Sequence, residues 1–103
     1  MSLVRIQNNG CKVLPPAHNY IKKLKYKRLK ELIKESIDKI IKDPYIGDLK
    51  TGDLKGIYSF DLYYQRCNYE ISYKIIETEE PYILFIMVGT RENYYNELKK
   101  YLK

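Results

Sequence analysis

The strongest pattern along the chain is the unbroken apolar run Tyr82-Ile83-Leu84-Phe85-Ile86-Met87-Val88, bounded by Pro81 and Gly89. A run this short, rich in β-branched and aromatic residues, predicts a strand that is apolar on both faces and so central in its sheet. Gly89 frees the backbone to turn, and Thr90 or Asn93 can cap a following helix. Arg91, Glu92 and Tyr94 then fall at a strand-to-helix corner, the first place to look for chemistry.

Ahead of that run the period switches between two and 3.6. Val4 to Gln7 alternates weakly before the turn signal Asn8-Asn9-Gly10, and Cys11 to Leu14 is a better strand candidate. Residues 1–10 are therefore expected to be a tail or an extra strand, and 11–103 one domain. Pro15-Pro16 stops the strand and opens a short helix, with Ala17, Tyr20, Ile21 and Leu24 at helical spacing. His18, in its first turn, reads as a solvated helix residue. A longer helix follows, its stripe of Leu29, Leu32, Ile33, Ile37, Ile40 and Ile41 ending at Asp43 before Pro44.

Pro44 to Gly56 reads as a loop punctuated by glycines. Ile57 to Tyr64 and Tyr69 to Ile76 both alternate, so residues 57–76 form an antiparallel hairpin connected by Gln65-Arg66-Cys67-Asn68. Thr78 to Pro81 turns the chain into the central strand. A last helix places Tyr94, Leu98, Tyr101 and Leu102 on one face, to dock on the sheet. The expected fold is α+β: a small twisted, mainly antiparallel four-stranded sheet with a helical hairpin on one face and a carboxyl-terminal helix.

Composition narrows the class. Hydrophobic residues make up 45% and charged residues 31%, a balance that folds one core rather than a disordered chain. The 19 Lys and Arg outnumber the 13 Asp and Glu, and the net charge of +6 favours polyanions or an acidic protein as partners. No apolar run approaches a bilayer-spanning length and no signal-peptide core is present, so a cytoplasmic protein is expected. Cys11 and Cys67 lack the clustered spacing of a metal site and read as two reduced thiols; no metal or cofactor is expected. The chain holds 12 Tyr, 2 Phe and no Trp. Tyrosine suits half-exposed strands and also stacks on unpaired bases, and composition alone does not separate the two uses.

Several segments carry a family resemblance. Leu14-Pro15-Pro16-Ala17 leads into Tyr20-Ile21-Lys22-Lys23-Leu24; Asp53-Leu54-Lys55-Gly56-Ile57-Tyr58 and Asn68-Tyr69-Glu70-Ile71-Ser72-Tyr73 follow, and then Val88-Gly89-Thr90-Arg91-Glu92-Asn93-Tyr94-Tyr95. Together, from about Cys11 to the carboxyl end, the chain resembles the RelE/ParE toxin superfamily of type II toxin-antitoxin systems. That resemblance implies a cognate acidic antitoxin as partner. For the RelE-like branch it implies a ribosome-dependent, metal-independent endoribonuclease that cuts messenger RNA through attack of the ribose 2′-hydroxyl on the next phosphate, inhibiting translation. For the ParE-like branch it implies a DNA gyrase inhibitor; a catalytically silent antitoxin-binding module is the third possibility.

Cleavage of this kind needs a base for the hydroxyl, a cation for the phosphorane and an acid for the leaving 5′-oxygen. Arg91 matches the family's strand-end arginine, whose planar fork suits two phosphate oxygens. Tyr94 best matches the carboxyl-terminal catalytic tyrosine, with the adjacent Tyr95 as the alternative. An ordinary tyrosine is only about 0.1% ionised at neutral pH and needs neighbouring cations to act as a base. The chain departs from the best-known branch in carrying Asp61 and Tyr63 where that branch has lysines, and Glu70 where it has an arginine. Either Asp61 or Glu70 is then the candidate base, the alternative being an ordinary polar sheet face. Lys50, Lys55, Tyr63 and Arg66 are expected to grip RNA. Lys22, Lys23, Lys25, Lys27, Arg28 and Lys30 are expected to receive the antitoxin, or else to be a solvated helix face.

Overall fold

The structure, a computed structural model, describes residues 10–91 and 94–102, with the backbone alone at 94–96. Its elements follow the expected order: β1 (Cys11–Val13), α1 (Pro15–Lys23), α2 (Lys27–Lys42), β2 (Asp48–Leu49), β3 (Tyr58–Tyr64), β4 (Cys67–Ile76), β5 (Tyr82–Thr90) and α3 (Tyr94–Leu102). The sheet runs β1-β5-β4-β3-β2, parallel between β1 and β5 and antiparallel elsewhere. The four expected strands are all present. The fifth, β2, is a two-residue edge pairing that Asp48 and Leu49 make with Ser59 and Tyr58, inside the segment read as a loop. Residues 1–9 lie outside the described residues, and with them most of the expected tail. Gly10 accepts a hydrogen bond from the Ile83 N–H at 2.9 Å.

Local chemistry explains the helix limits. Leu14, extended at φ −75° and ψ 157°, precedes Pro15 and Pro16 in the first turn of α1, where a missing N–H costs nothing. Ala17 is buried, and α1 packs against β5. Leu29, Ile33, Ser36 and Ile40 form the buried stripe of α2, which lies on β3. The core under these helices takes Ile71, Tyr73, Ile83, Phe85 and Val88 from the sheet, flanked by Tyr58, Phe60, Leu62 and Tyr64.

The opposite face holds a smaller cluster of Leu54, Ile57, Ile86 and Leu98, with Leu14, Leu84 and Met87 beside it. Leu98 fastens α3 there; burying one leucine side chain is worth about 1.5–3 kcal/mol. An exposed pair between Lys99 Nζ and Asp53 Oδ2 at 3.5 Å adds about 0–1 kcal/mol. Tyr101 and Leu102, expected on the docked face, are exposed instead. α3 therefore covers part of the face away from α1 and α2. Among the described residues no helix is long and apolar enough to cross a membrane.

A bulge in β5 decides which side chains reach this second face. Ser72 pairs with Met87 and Tyr73 with Phe85, so Ile86 has no residue opposite it. Ile83 and Phe85 point into the helix-side core; Ile86 and Met87 both turn to the other cluster, and from Val88 onward the alternation is inverted. Gly89 and the register position of Arg91 consequently fall on the face away from α1 and α2. Without the extra residue both would fall beneath those helices.

Tyr73 locks the chain between α2 and β2. Its hydroxyl donates to the Pro44 carbonyl at 2.8 Å and accepts from the Gly47 N–H at 3.0 Å, and its ring stacks on Tyr58 at 5.3 Å. A Cβ at Gly47 would meet that hydroxyl at 2.7 Å and the Ser59 carbonyl at 3.0 Å, so only glycine fits. Burial pushes the Tyr73 hydroxyl up to about 12 from the ordinary 10.0. Because the folded value lies above the unfolded one, the stabilisation is full below pH 10 and is lost as pH rises from 10 towards 12. Tyr73→Phe is expected to lower stability at neutral pH by about 1–3 kcal/mol, since Pro44 and Gly47 lose their partner. It should also flatten this contribution to the alkaline decline, as read from urea melts at stepped pH; an unchanged alkaline slope would remove Tyr73 from it.

Candidate active site

Strand register builds the site. On β3 the residues facing away from the helices are Ser59, Asp61 and Tyr63, and their β4 partners are Ser72, Glu70 and Asn68. Asp61 and Glu70 are thus directly opposite, a relation that sets Cβ atoms about 4.5–5.5 Å apart. Tyr63, two residues further along β3, is about 7 Å from Asp61 on the same face. Glu70 pairs on its other side with Gly89, which offers no side chain. Next along, the Arg91 N–H donates to the Asn68 carbonyl at 2.9 Å and anchors the arginine at the edge of the same patch.

Exposure divides these groups. Asp61 and Arg91 are exposed and Tyr63 is 68% exposed, whereas Glu70 is only 1% exposed. The two carboxyl groups therefore differ in setting: Asp61 meets solvent and Glu70 lies beneath the surface. A carboxyl group that deep is stable only when its polar surroundings compensate the lost water, so its place constrains its neighbours rather than its ligand.

The other expected residues are distributed around this patch. Lys50, half-buried with its N–H bonded to the Ile57 carbonyl at 2.8 Å, and exposed Lys55 lie at the start of β3. Six residues of strand, about 20 Å, separate that end from Tyr63. Arg66 is exposed at the opposite end, in the tight turn between β3 and β4. The structure thus brings Asp61, Tyr63, Glu70 and Arg91 together and leaves Lys50 and Lys55 apart from them. The side chains of Tyr94 and Tyr95, and both Glu92 and Asn93, lie outside the described residues. Lys22, Lys23, Lys25, Lys27 and Arg28 are exposed and Lys30 is half-buried; Arg28 pairs with Glu31 at 3.2 Å. Cys11 and Cys67 are free thiols.

Asn68 was not among the expected site residues. Its sequence signals are its place at the head of the Asn68-Tyr69-Glu70-Ile71-Ser72-Tyr73 segment and its position two residues before Glu70, which a correct register would have turned into a partner for Tyr63 and a hold on Arg91.

The family of ParE-like toxins of type II bacterial toxin-antitoxin systems matches residues 12–99, a span that takes in the whole patch. The chain belongs to that family. Among solved structures, the toxin is similar to a chain of the intact E. coli RelBE toxin-antitoxin complex, with a TM-score of 0.63 and 20% identity over 77% of this chain and 92% of the other. It is also similar to a double arginine-to-alanine variant of E. coli toxin RelE in the free state, with a TM-score of 0.67 and 20% identity over 86% and 90% of the two chains. At that identity the likeness is one of fold. No curated protein matches the toxin.

Proposed function

We propose that this toxin is a ribosome-dependent messenger RNA endonuclease, held in check by an acidic antitoxin, with Asp61 as base and Arg91 as phosphate ligand. The observation that supports this reading best is the register: an exposed carboxylate, an exposed tyrosine ring and an exposed arginine share one face of a RelE-like sheet. Asp61 takes the proton of the ribose 2′-hydroxyl, which attacks the adjacent phosphorus. Arg91 meets the charge that builds on the phosphorane oxygens. Tyr63 stacks on a base and fixes the nucleotide next to Asp61. The leaving 5′-oxygen receives a proton from Tyr94 or Tyr95, and Glu70 acts from below as a positioning residue. The nucleophile is internal to the substrate, so no metal-bound water is required.

A second reading is favoured by the charges on the patch. Among the described residues aligned there, Asp61 and Glu70 face a single arginine, a sparse set for phosphate chemistry and compatible with a DNA gyrase inhibitor. One experiment separates the two: purified toxin added to stalled ribosome–message complexes and, in parallel, to gyrase with supercoiled DNA. The expected result is cleavage of the message, with 5′ fragments ending in a cyclic or 3′-phosphate and no cut where the scissile nucleotide is 2′-deoxy. Fragments with 3′-hydroxyl ends would rule out 2′-hydroxyl attack, and a gyrase-dependent effect without cleavage would establish the second reading.

A further inference from the structure

Three departures from what the fold alone requires meet at one end of the sheet. The turn between β3 and β4 consists of Gln65 and Arg66 at φ 48° and 66°, left-handed values that asparagine and glycine adopt at lower cost. The first turn of α2 carries Lys27 and Arg28 with no acidic residue, against the positive end of the helix dipole. The residue capping α2 is Tyr26, which makes no side-chain capping bond and is 61% exposed, where serine or aspartate would stabilise the helix. Local rules broken without a packing gain mark functional surface.

These features gather at the sheet end that also carries Asn68 and Arg91, with the hinge on the helix-side face and the candidate active site on the other. α2 lies on β3, and the chain after its carboxyl end is held near the start of that strand by Tyr73. The amino end of α2 and the α1–α2 hinge therefore reach towards the β3–β4 turn, where Tyr20, Leu24, Tyr64 and Tyr69 flank one core. Between Cys67 and Tyr69 stands Asn68, whose carbonyl holds Arg91. From Lys12 to Lys30 the chain has no carboxylate at all, while Lys22, Lys23, Lys25, Lys27, Arg28 and Lys30 are cationic. Cations together with the exposed rings of Tyr26 and Tyr63, one on either side of the sheet tip, fit a single strand whose phosphates pair with the cations and whose bases stack on the rings.

We infer that Lys25 and Tyr26 of the hinge, Lys27 at the start of α2 and Arg66 of the turn form a binding track for single-stranded RNA that passes round the sheet tip from the active-site patch. The inference rests on the RNA reading of that patch. An acidic antitoxin segment is the competing occupant. The test is fluorescence anisotropy of a labelled single-stranded oligoribonucleotide, with poly-glutamate and duplex DNA as competitors and with thermal melts to verify folding. Tyr26→Ala is expected to weaken RNA binding about tenfold at all salt concentrations. The Lys25→Ala, Lys27→Ala double variant should weaken it and reduce the log–log salt slope by about 1.4, the share of two phosphate contacts. Unchanged RNA affinity in both variants, or stronger capture of poly-glutamate or duplex DNA than of RNA, would overturn the track. Binding that obeys these expectations while wild-type toxin leaves ribosome-bound message uncut would instead retain the track and sink the nuclease.

Discussion

Replacement of Arg91 by alanine is expected to lower the single-turnover rate of cleavage of ribosome-bound message by roughly a hundred- to a thousandfold, the usual cost of removing one transition-state donor. The melting temperature should hardly move, because the side chain is exposed and the bond to Asn68 is made by the backbone, which alanine keeps. Arg91→Lys should restore only part of the rate, since an ammonium cannot span two oxygens of the phosphorane. A wild-type rate in a folded Arg91→Ala variant would take the arginine out of the mechanism. It would leave Arg91 as a surface residue whose ion pairs are worth about 0–1 kcal/mol.

Asp61→Asn is the second large effect, expected at roughly a hundred- to ten-thousandfold in rate, the range for loss of a general base. Asparagine keeps the shape and the exposure, so RNA affinity should stay near wild type and the loss should fall on the chemical step. Glu70→Gln is the informative contrast. With the side chain only 1% exposed, its amide should change the rate less than Asp61→Asn does while changing thermal stability more. Should Glu70→Gln abolish cleavage in a folded protein while Asp61→Asn cleaves normally, the roles of the two carboxyl groups are reversed.

The elements that the sequence made legible are those with a long, clean period. The apolar run of β5 foretold a strand flanked on both sides and buried on both faces, and the stripe from Leu29 to Ile41 foretold α2 almost to the residue. What escaped had no period to read. β2 is too short to alternate. The hairpin turn is made of Gln65 and Arg66 without glycine or asparagine, so the connection read as four residues where the chain uses two. A two-residue error preserves parity, which is why Asp61, Tyr63 and Glu70 were placed on one face correctly. It also changes partners: the longer loop would set Glu70 opposite Tyr63, whereas the observed turn sets it opposite Asp61. In α3, helical spacing was right but reach was not, since Leu98 is buried and the equally apolar Tyr101 and Leu102 run past the cluster.

The bulge at Ile86 left no mark in the sequence because every residue around it is apolar, and this has a consequence for how β5 tolerates change. Exchanges among isoleucine, leucine, valine and methionine within the strand are of similar volume, and cores absorb such swaps at modest cost. Loss of one residue there would be another matter: the remaining chain would still be an apolar strand of nearly the same composition, with Arg91 carried under the helices and away from Asp61 and Tyr63. Drift in residue type along β5 is close to silent, then, while a single-codon deletion would carry everything after it to the other side of the sheet. What this strand must conserve is its length.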